Sequence, residues 1–227
     1  HAVQKLYDLS RGADDRPWCL TVSFTHPHDP YVARRKYWDL YDGAPELAAP
    51  EAIAYQDQDA HSQRLMDACD WREFDITDRD IRRARQGYFA NISYIDDKIG
   101  EVLDVLERTQ QEAIILFLSD HGDMLGERGL WFKMSPFEGS SRVPLMIAAP
   151  GLEGRSVEAP VSTIDINATL ADLVGIDLSE VEPWTDGQSL LPLARGGTRE
   201  APVYMEYAAE GTQAPLVTIR EGKGKFN

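Results

Sequence analysis

Asp120 and His121 stand side by side, followed at once by Gly122 and Asp123; Lys133 lies twelve residues beyond His121, in an aromatic setting of Trp131 and Phe132. A carboxylate oxygen and a neutral imidazole at one turn suit a divalent metal. Two side chains do not complete such a site: Ca²⁺ takes about six to eight ligand atoms and Mg²⁺ about six, so further carboxylates must be supplied. No other apolar run of strand length ends in an Asp-Asp pair, since Asp14-Asp15 precedes its run and Asp96-Asp97 lies mid-helix. The remaining ligands are therefore expected outside this chain, and Asp123 is expected to cap the following turn. A lysine shielded from water beside a metal holds an anionic group as a point charge, whereas a lysine by itself is an ordinary solvated charge. Adding His28, from the loop Thr25-His26-Pro27-His28-Asp29-Pro30-Tyr31, gives a metal, a cation and a proton donor around one oxyanion. Two prolines stiffen that loop. Taken alone, His26 and His28 read equally as satisfied loop histidines.

The elements that must position these groups follow from pattern. Residues 113–118 form an apolar run that breaks into Ser119-Asp120-His121-Gly122-Asp123, the layout of a buried parallel strand with polar groups at its C-terminal edge, where ligands bind in open α/β sheets. Gly122 permits the turn that lets Asp120 and His121 share a ligand. Residues 18–24 read as a central strand emptying into the His26–His28 loop, and residues 31–78 as an irregular excursion covering the site. Tyr37, Trp38 and Tyr41, within that excursion, read as packed core or as a binding face, core being the commoner fate of aromatics at helical spacing. Thr77 or Asp78 caps a helix whose apolar stripe runs from Ile81 to Leu106, with Asn91, Asp96 and Asp97 as solvated or locally bonded groups. A further strand is expected within residues 142–150, a short helix over 164–174 capped by Ser162 or Thr163 and ended by Gly175, and strands at 203–207 and 216–220. Strands alternating with helices make the fold class α/β.

The 227 residues can bury one sizeable core. With 38 acidic against 23 basic residues, a net charge of -15 and a pI near 4.7, a nucleic-acid or anionic-membrane surface is disfavoured and a small, cationic partner is favoured. Cys19 and Cys69 make no disulfide framework, so a reducing cytoplasm is the expected compartment. No apolar run approaches the ~18 residues of a membrane span, and a soluble protein is expected.

Taken together, Ser119-Asp120-His121-Gly122-Asp123, Lys133, Glu138-Gly139 with Arg142-Val143-Pro144, Pro150-Gly151 and Thr25-His26-Pro27-His28 resemble the type I sulfatases of the alkaline-phosphatase superfamily. Residues 120–144 are most similar to the choline-sulfatase group. The resemblance implies a layered sheet with flanking helices, residues 1–227 forming part of a catalytic domain and a small C-terminal antiparallel sheet beginning near 216–227. It implies Asp120 and His121 as ligands of a divalent metal (Ca²⁺ favoured, Mg²⁺ or Mn²⁺ accommodated) and Lys133 as the group binding the sulfate and bridging oxygens. His28 would assist the leaving group, His26 would support substrate binding, and Glu138 and Arg142 would form a structural ion pair. The expected substrate is a small-molecule sulfate ester, choline-O-sulfate in particular, with Glu210 facing its quaternary ammonium or serving as a solvated surface acid. The enzyme as a whole would be a cytoplasmic homo-oligomer. In that family the nucleophile is a formylglycine made from a Cys-x-Pro-x-Arg motif; Cys69-Asp70-Trp71-Arg72-Glu73 is not one, and Cys19 lies within a strand-like run, so nucleophile and Asp-Asp pair are expected in a missing N-terminal part. The rival reading is a phosphonate monoester or phosphodiester hydrolase, because a metal and a lysine grip phosphoryl and sulfuryl groups by the same physics. A third is a non-catalytic piece that folds without a nucleophile.

Overall fold

Thr77 begins the longest element of the chain by a reciprocal pair of bonds: its hydroxyl accepts from Asp80 N–H while the Asp80 carboxylate accepts from Thr77 N–H. The computed structural model describes residues 1–14, 16–209 and 213–226. In chain order its helices are α1 (Ala2–Arg11), α2 (Arg35–Trp38), α3 (Ala60–Ala68), α4 (Asp78–Arg108), α5 (Glu138–Ser141), α6 (Asp165–Val174), α7 (Leu178–Val181) and α8 (Leu191–Ala194). Its strands are β1 (Ile115–Leu118), β2 (Leu145–Ala148), β3 (Val203–Tyr207), β4 (Leu216–Glu221) and β5 (Gly224–Phe226). The chain divides into two compact units, one of His1–Ile53, Glu73–Ala113 and Leu125–Trp131, the other of Ala54–Arg72, Ile114–Met124 and Phe132–Asn227. Among the described residues no helix is long and apolar enough to cross a membrane.

The first unit is built on α4, against which α1 and α2 pack, with Leu6, Tyr37, Ala90 and Val105 buried. The excursion after Tyr31 is fastened to the helix by polar contacts: Tyr37 Oη donates to Asp97 at 2.7 Å, Lys36 Nζ meets the same carboxylate at 3.0 Å, and Gln86 Nε2 donates to Trp38 O at 3.0 Å. Asp97 is therefore a long-range anchor rather than a solvated helix residue, and the Tyr37 bond, followed by Lys36, holds its carboxyl below the ordinary range. Asn91, expected as a solvated or locally bonded group, is buried. Gly87 belongs here for space: a Cβ on it would stand 2.1 Å from Tyr31 O, so the loop leaving His28 can cross α4 only over a glycine. Residues 18–24 form no ladder among the described residues, contrary to the expected central strand. Only an alternation of half-buried Leu20, Val22 and Phe24 with exposed Thr21 and Ser23 survives, because a strand exists through a partner's hydrogen bonds and not through propensity alone.

In the second unit β1 and β2 pair antiparallel, Ile115 opposite Ala148 and Leu118 opposite Leu145. The expected buried parallel strand is thus half-buried and antiparallel. A parallel return needs a crossover element covering the sheet, and the only helix between the two strands, α5, has four residues. β3, β4 and β5 make a second antiparallel sheet in that order, β3 and β4 matching the expected positions. The excursion also contains an unanticipated helix, α3, whose N-cap Asp59 accepts from His61 N–H and Ser62 N–H and whose Leu65 and Met66 are buried.

Helix α6 ends at Gly175, with φ 73°, as expected of a left-handed C′ residue. Its start differs: neither Ser162 nor Thr163 caps it by side chain, and the Asp165 carboxylate reaches back to accept Ser162 N–H at 2.8 Å. Asp165, wholly buried, also accepts Gln188 N–H at 2.9 Å and Arg199 Nη1 at 2.6 Å. One carboxylate thus ties three chain segments. Replacing it by asparagine leaves a nearly buried guanidinium without its counter-charge, which costs on the order of 3–5 kcal/mol. In urea unfolding of Asp165→Asn the midpoint should fall accordingly; a loss below ~1 kcal/mol would contradict this account.

Candidate active site

The turn after β1 is held by its own polar groups. Asp120 Oδ1 accepts His121 N–H at 3.0 Å, and Ser119 Oγ donates to His121 O at 2.7 Å. His121 Nδ1 lies 2.9 Å from Gly122 O. A carbonyl can only accept, so Nδ1 carries a proton, and in the neutral ring Nε2 keeps its lone pair, a tautomer in which Nε2 can ligate a metal. That Nε2 sits 3.6 Å from Asp120 Oδ2, so the nitrogen and the carboxylate oxygen present themselves at one point.

This donor pair fits a divalent ion without completing its shell. Among the described residues no group of three or more His, Cys, Asp or Glu side chains comes together as a metal site. The Asp120 side chain is 85% exposed and His121's 35% exposed, so both are open to ligands supplied by other groups.

Backbone bonds bring Lys133 to the same turn. Gly122 N–H donates to Ser140 O at 2.7 Å, Phe132 N–H to Asp123 Oδ1 at 3.1 Å, and Met124 N–H to Phe132 O at 2.8 Å. Ser140 Oγ donates to Lys133 O, and buried His61 on α3 donates from Nε2 to Met134 O at 2.8 Å. Asp123 therefore closes the loop across nine residues. Phe132 takes a left-handed φ of 63°, a strained conformation for a residue with a Cβ, kept by these bonds on either side of it.

Gly122 has a different reason from the one its sequence suggests. Its φ is not in the left-handed region; instead a Cβ on it would meet Gly139 O at 2.1 Å. The glycine is there for close approach between two loops.

His26 and His28 belong to the first unit. His28 Nδ1 lies 2.9 Å from Asp29 O and 3.1 Å from Asp29 Oδ1, two acceptors, so Nδ1 is protonated and the carboxylate is placed to offset a positive imidazole. His26 packs edge-on against Tyr94, ring centroids 5.3 Å apart. Glu210 lies outside the described residues.

The expected Glu138–Arg142 ion pair is replaced by another. Glu138 Oε1 accepts Lys225 Nζ of β5 at 2.6 Å, with Arg220 Nη1 of β4 at 3.8 Å. The partner is 87 positions away and leaves no local spacing to read. Ser140 and His61 escaped the sequence reading for the same reason, because their role is set by which backbone carbonyl they meet.

The chain belongs to the sulfatase family, whose model matches residues 2–176. It is 62% identical over 232 residues to the choline-sulfatase of Rhizobium meliloti (strain 1021), covering 99% of this chain and 45% of that protein. A sulfatase of Formosa agariphila is 30% identical across 71% of the chain and 33% of its own length. Among solved structures, a phosphonate monoester hydrolase from Silicibacter pomeroyi superposes with a TM-score of 0.75 at 26% identity, covering 88% of this chain and 45% of that one. The chain thus spans less than half the length of these relatives. Their alkaline-phosphatase/sulfatase fold agrees with the α/β class expected from the sequence.

Two outcomes are expected at this site. Gly122→Ala forces Gly139 away from the turn, and activity of the whole protein should fall by about 100-fold, a loss of the size that a displacement near 1 Å produces; wild-type kcat would show the approach to be dispensable. Lys225, and then the charges of Arg220 and Arg142, hold the Glu138 carboxyl below the ordinary range. A depressed carboxylate stabilises the fold above its unfolded value near ~4.3 and loses that contribution as pH falls through the folded value. The side chain is 51% exposed, so the contribution is discounted to about 1 kcal/mol or less. Urea unfolding of Glu138→Gln should therefore differ from wild type at pH 7, and the difference should shrink as pH is lowered below the unfolded value.

Proposed function

We propose that the whole protein hydrolyses sulfate esters, with choline-O-sulfate as substrate. The observation that carries this is the 62% identity along 99% of the chain to a choline-sulfatase. The Asp120–His121 donor pair and its junction with Lys133 support it chemically. Asp120 and His121 would hold a divalent ion, Ca²⁺ by preference and Mg²⁺ or Mn²⁺ as substitutes, which when bound would supply a Lewis acid for a sulfuryl oxygen. Asp120 contributes Oδ2 and His121 Nε2. The Lys133 ammonium takes the charge growing on the sulfate and bridging oxygens. His28 delivers a proton from Nε2 to the departing oxygen, its charge offset by Asp29 through Nδ1. His26 supports the bound ester from the same loop, and Glu210 faces the quaternary ammonium.

The nucleophile, a formylglycine in this reading, is assigned to no residue of this chain, because neither Cys19 nor Cys69 is followed by x-Pro-x-Arg. The protein is proposed to be a cytoplasmic homo-oligomer. The likeness to the phosphonate monoester hydrolase favours a second reading, hydrolysis of phosphonate monoesters by the same metal-and-lysine grip.

Turnover of choline-O-sulfate and phenylphosphonate by the whole protein separates the two. A higher kcat/KM for choline-O-sulfate is expected, lost on chelation and restored by a divalent ion; preference for the phosphonate would overturn the reading. Lys133→Ala should lower kcat/KM by on the order of 100- to 1,000-fold, and Glu210→Gln should raise KM for the choline ester.

A further inference from the structure

Lys225, on the last strand of the second sheet, has an ammonium tied on several sides. Its Nζ donates to Pro136 O at 2.7 Å, to Glu138 Oε1 at 2.6 Å and to Ser141 Oγ at 3.1 Å. Its side chain is only 18% exposed, although its carboxylate partner is half open to solvent. An ammonium with three donors and three acceptors placed around it is fully matched, which fixes the acceptors as firmly as the lysine. All three belong to the short segment 136–141 that contains α5, and Ser140 of the same segment is tied to the turn of the candidate site. Ser140 O takes the Gly122 N–H, and Ser140 Oγ donates to Lys133 O.

We propose that Lys225 is a positioning residue of the active site, acting through residues 136–141 to set the spacing between the Asp120–His121 turn and Lys133. The antiparallel pairing of Arg220 with Lys225 puts two cations of the hairpin on Glu138, so the second sheet serves as the fixed base for that segment. Neither the metal-binding nor the sulfate-binding assignments include Lys225, and it touches none of the reacting groups. The inference rests on the sulfate-ester reading above for its kinetic consequence, and on contacts alone for its structural one.

The test uses the whole protein and two readouts. In Lys225→Met the amide of Gly122, followed by hydrogen–deuterium exchange of a peptide spanning residues 120–124, should exchange about tenfold faster or more, while α6 keeps its wild-type protection. With choline-O-sulfate, kcat should drop by about 10- to 100-fold, the range seen when a group orienting a ligand is removed, with a smaller change in KM. Lys225→Arg, which keeps the charge, should recover part of both. A residue with a merely structural role would instead lower protection throughout the unit and leave kcat per folded molecule unchanged. Glu138→Gln loosens the same clamp without removing the lysine stem and decides the matter should Lys225→Met fail to fold. Wild-type exchange at residues 120–124 in both variants would overturn the proposal. If the wild-type protein does not turn over sulfate esters, the functional reading fails and the exchange data still decide the clamp.

Discussion

The approach of two backbones at Gly122 is the constraint from which the candidate site takes its form. The Gly122 N–H and Ser140 O meet at 2.7 Å, and Gly139 O occupies the space a side chain would need. Nothing larger than hydrogen fits there. Because the contact is between main-chain atoms, it fixes two loops relative to each other more tightly than a pair of long side chains would, with no rotamer freedom to lose. The Asp120–His121 pair lies at one end of this contact and the Lys133 backbone at the other, so their separation is set by main-chain atoms.

Around it, stability is distributed among polar ties that bridge distant segments. Asp165 gathers three segments in one buried network, and Glu138 gathers the hairpin formed by β4 and β5. These differ in kind. Asp165 is sealed from water and its removal strands Arg199, whereas Glu138 is half exposed and contributes modestly to stability while governing geometry. In the first unit, Asp97 plays the anchoring part for the excursion carrying Tyr37. A strongly acidic chain thus uses some of its surplus carboxylates as internal fasteners.

How far the sequence could be read depended on how local each signal was. Helix α4 was visible because its capping box and its apolar stripe lie within the helix itself, and the end of α6 because Gly175 follows the last periodic residue. The Asp120–His121 turn was visible for the same reason. The direction of β1 was not, since an apolar run of that length serves either ladder, and pairing is decided by what lies between the strands. Residues 18–24 carry strand propensity, yet propensity supplies no partner. The pairing of Glu138 with Lys225 and of His61 with Met134 depends on tertiary meeting across 87 and 73 positions, for which no spacing rule exists. Arg142, nearer in sequence, was the natural guess and the wrong one.

The contact between His121 Nδ1 and Gly122 O carries a consequence for how such a site can change over time. The ring nitrogen left for an outside partner is selected by a main-chain oxygen, and a main-chain oxygen is present whatever residue follows. Substitution nearby can alter the affinity of the turn, its exposure or its charge, but the choice of nitrogen is inherited with the course of the backbone. The choice of nitrogen is thereby insulated from drift in the surrounding side chains, and Gly122, which leaves room for the Gly139 backbone, becomes a heritable part of the turn.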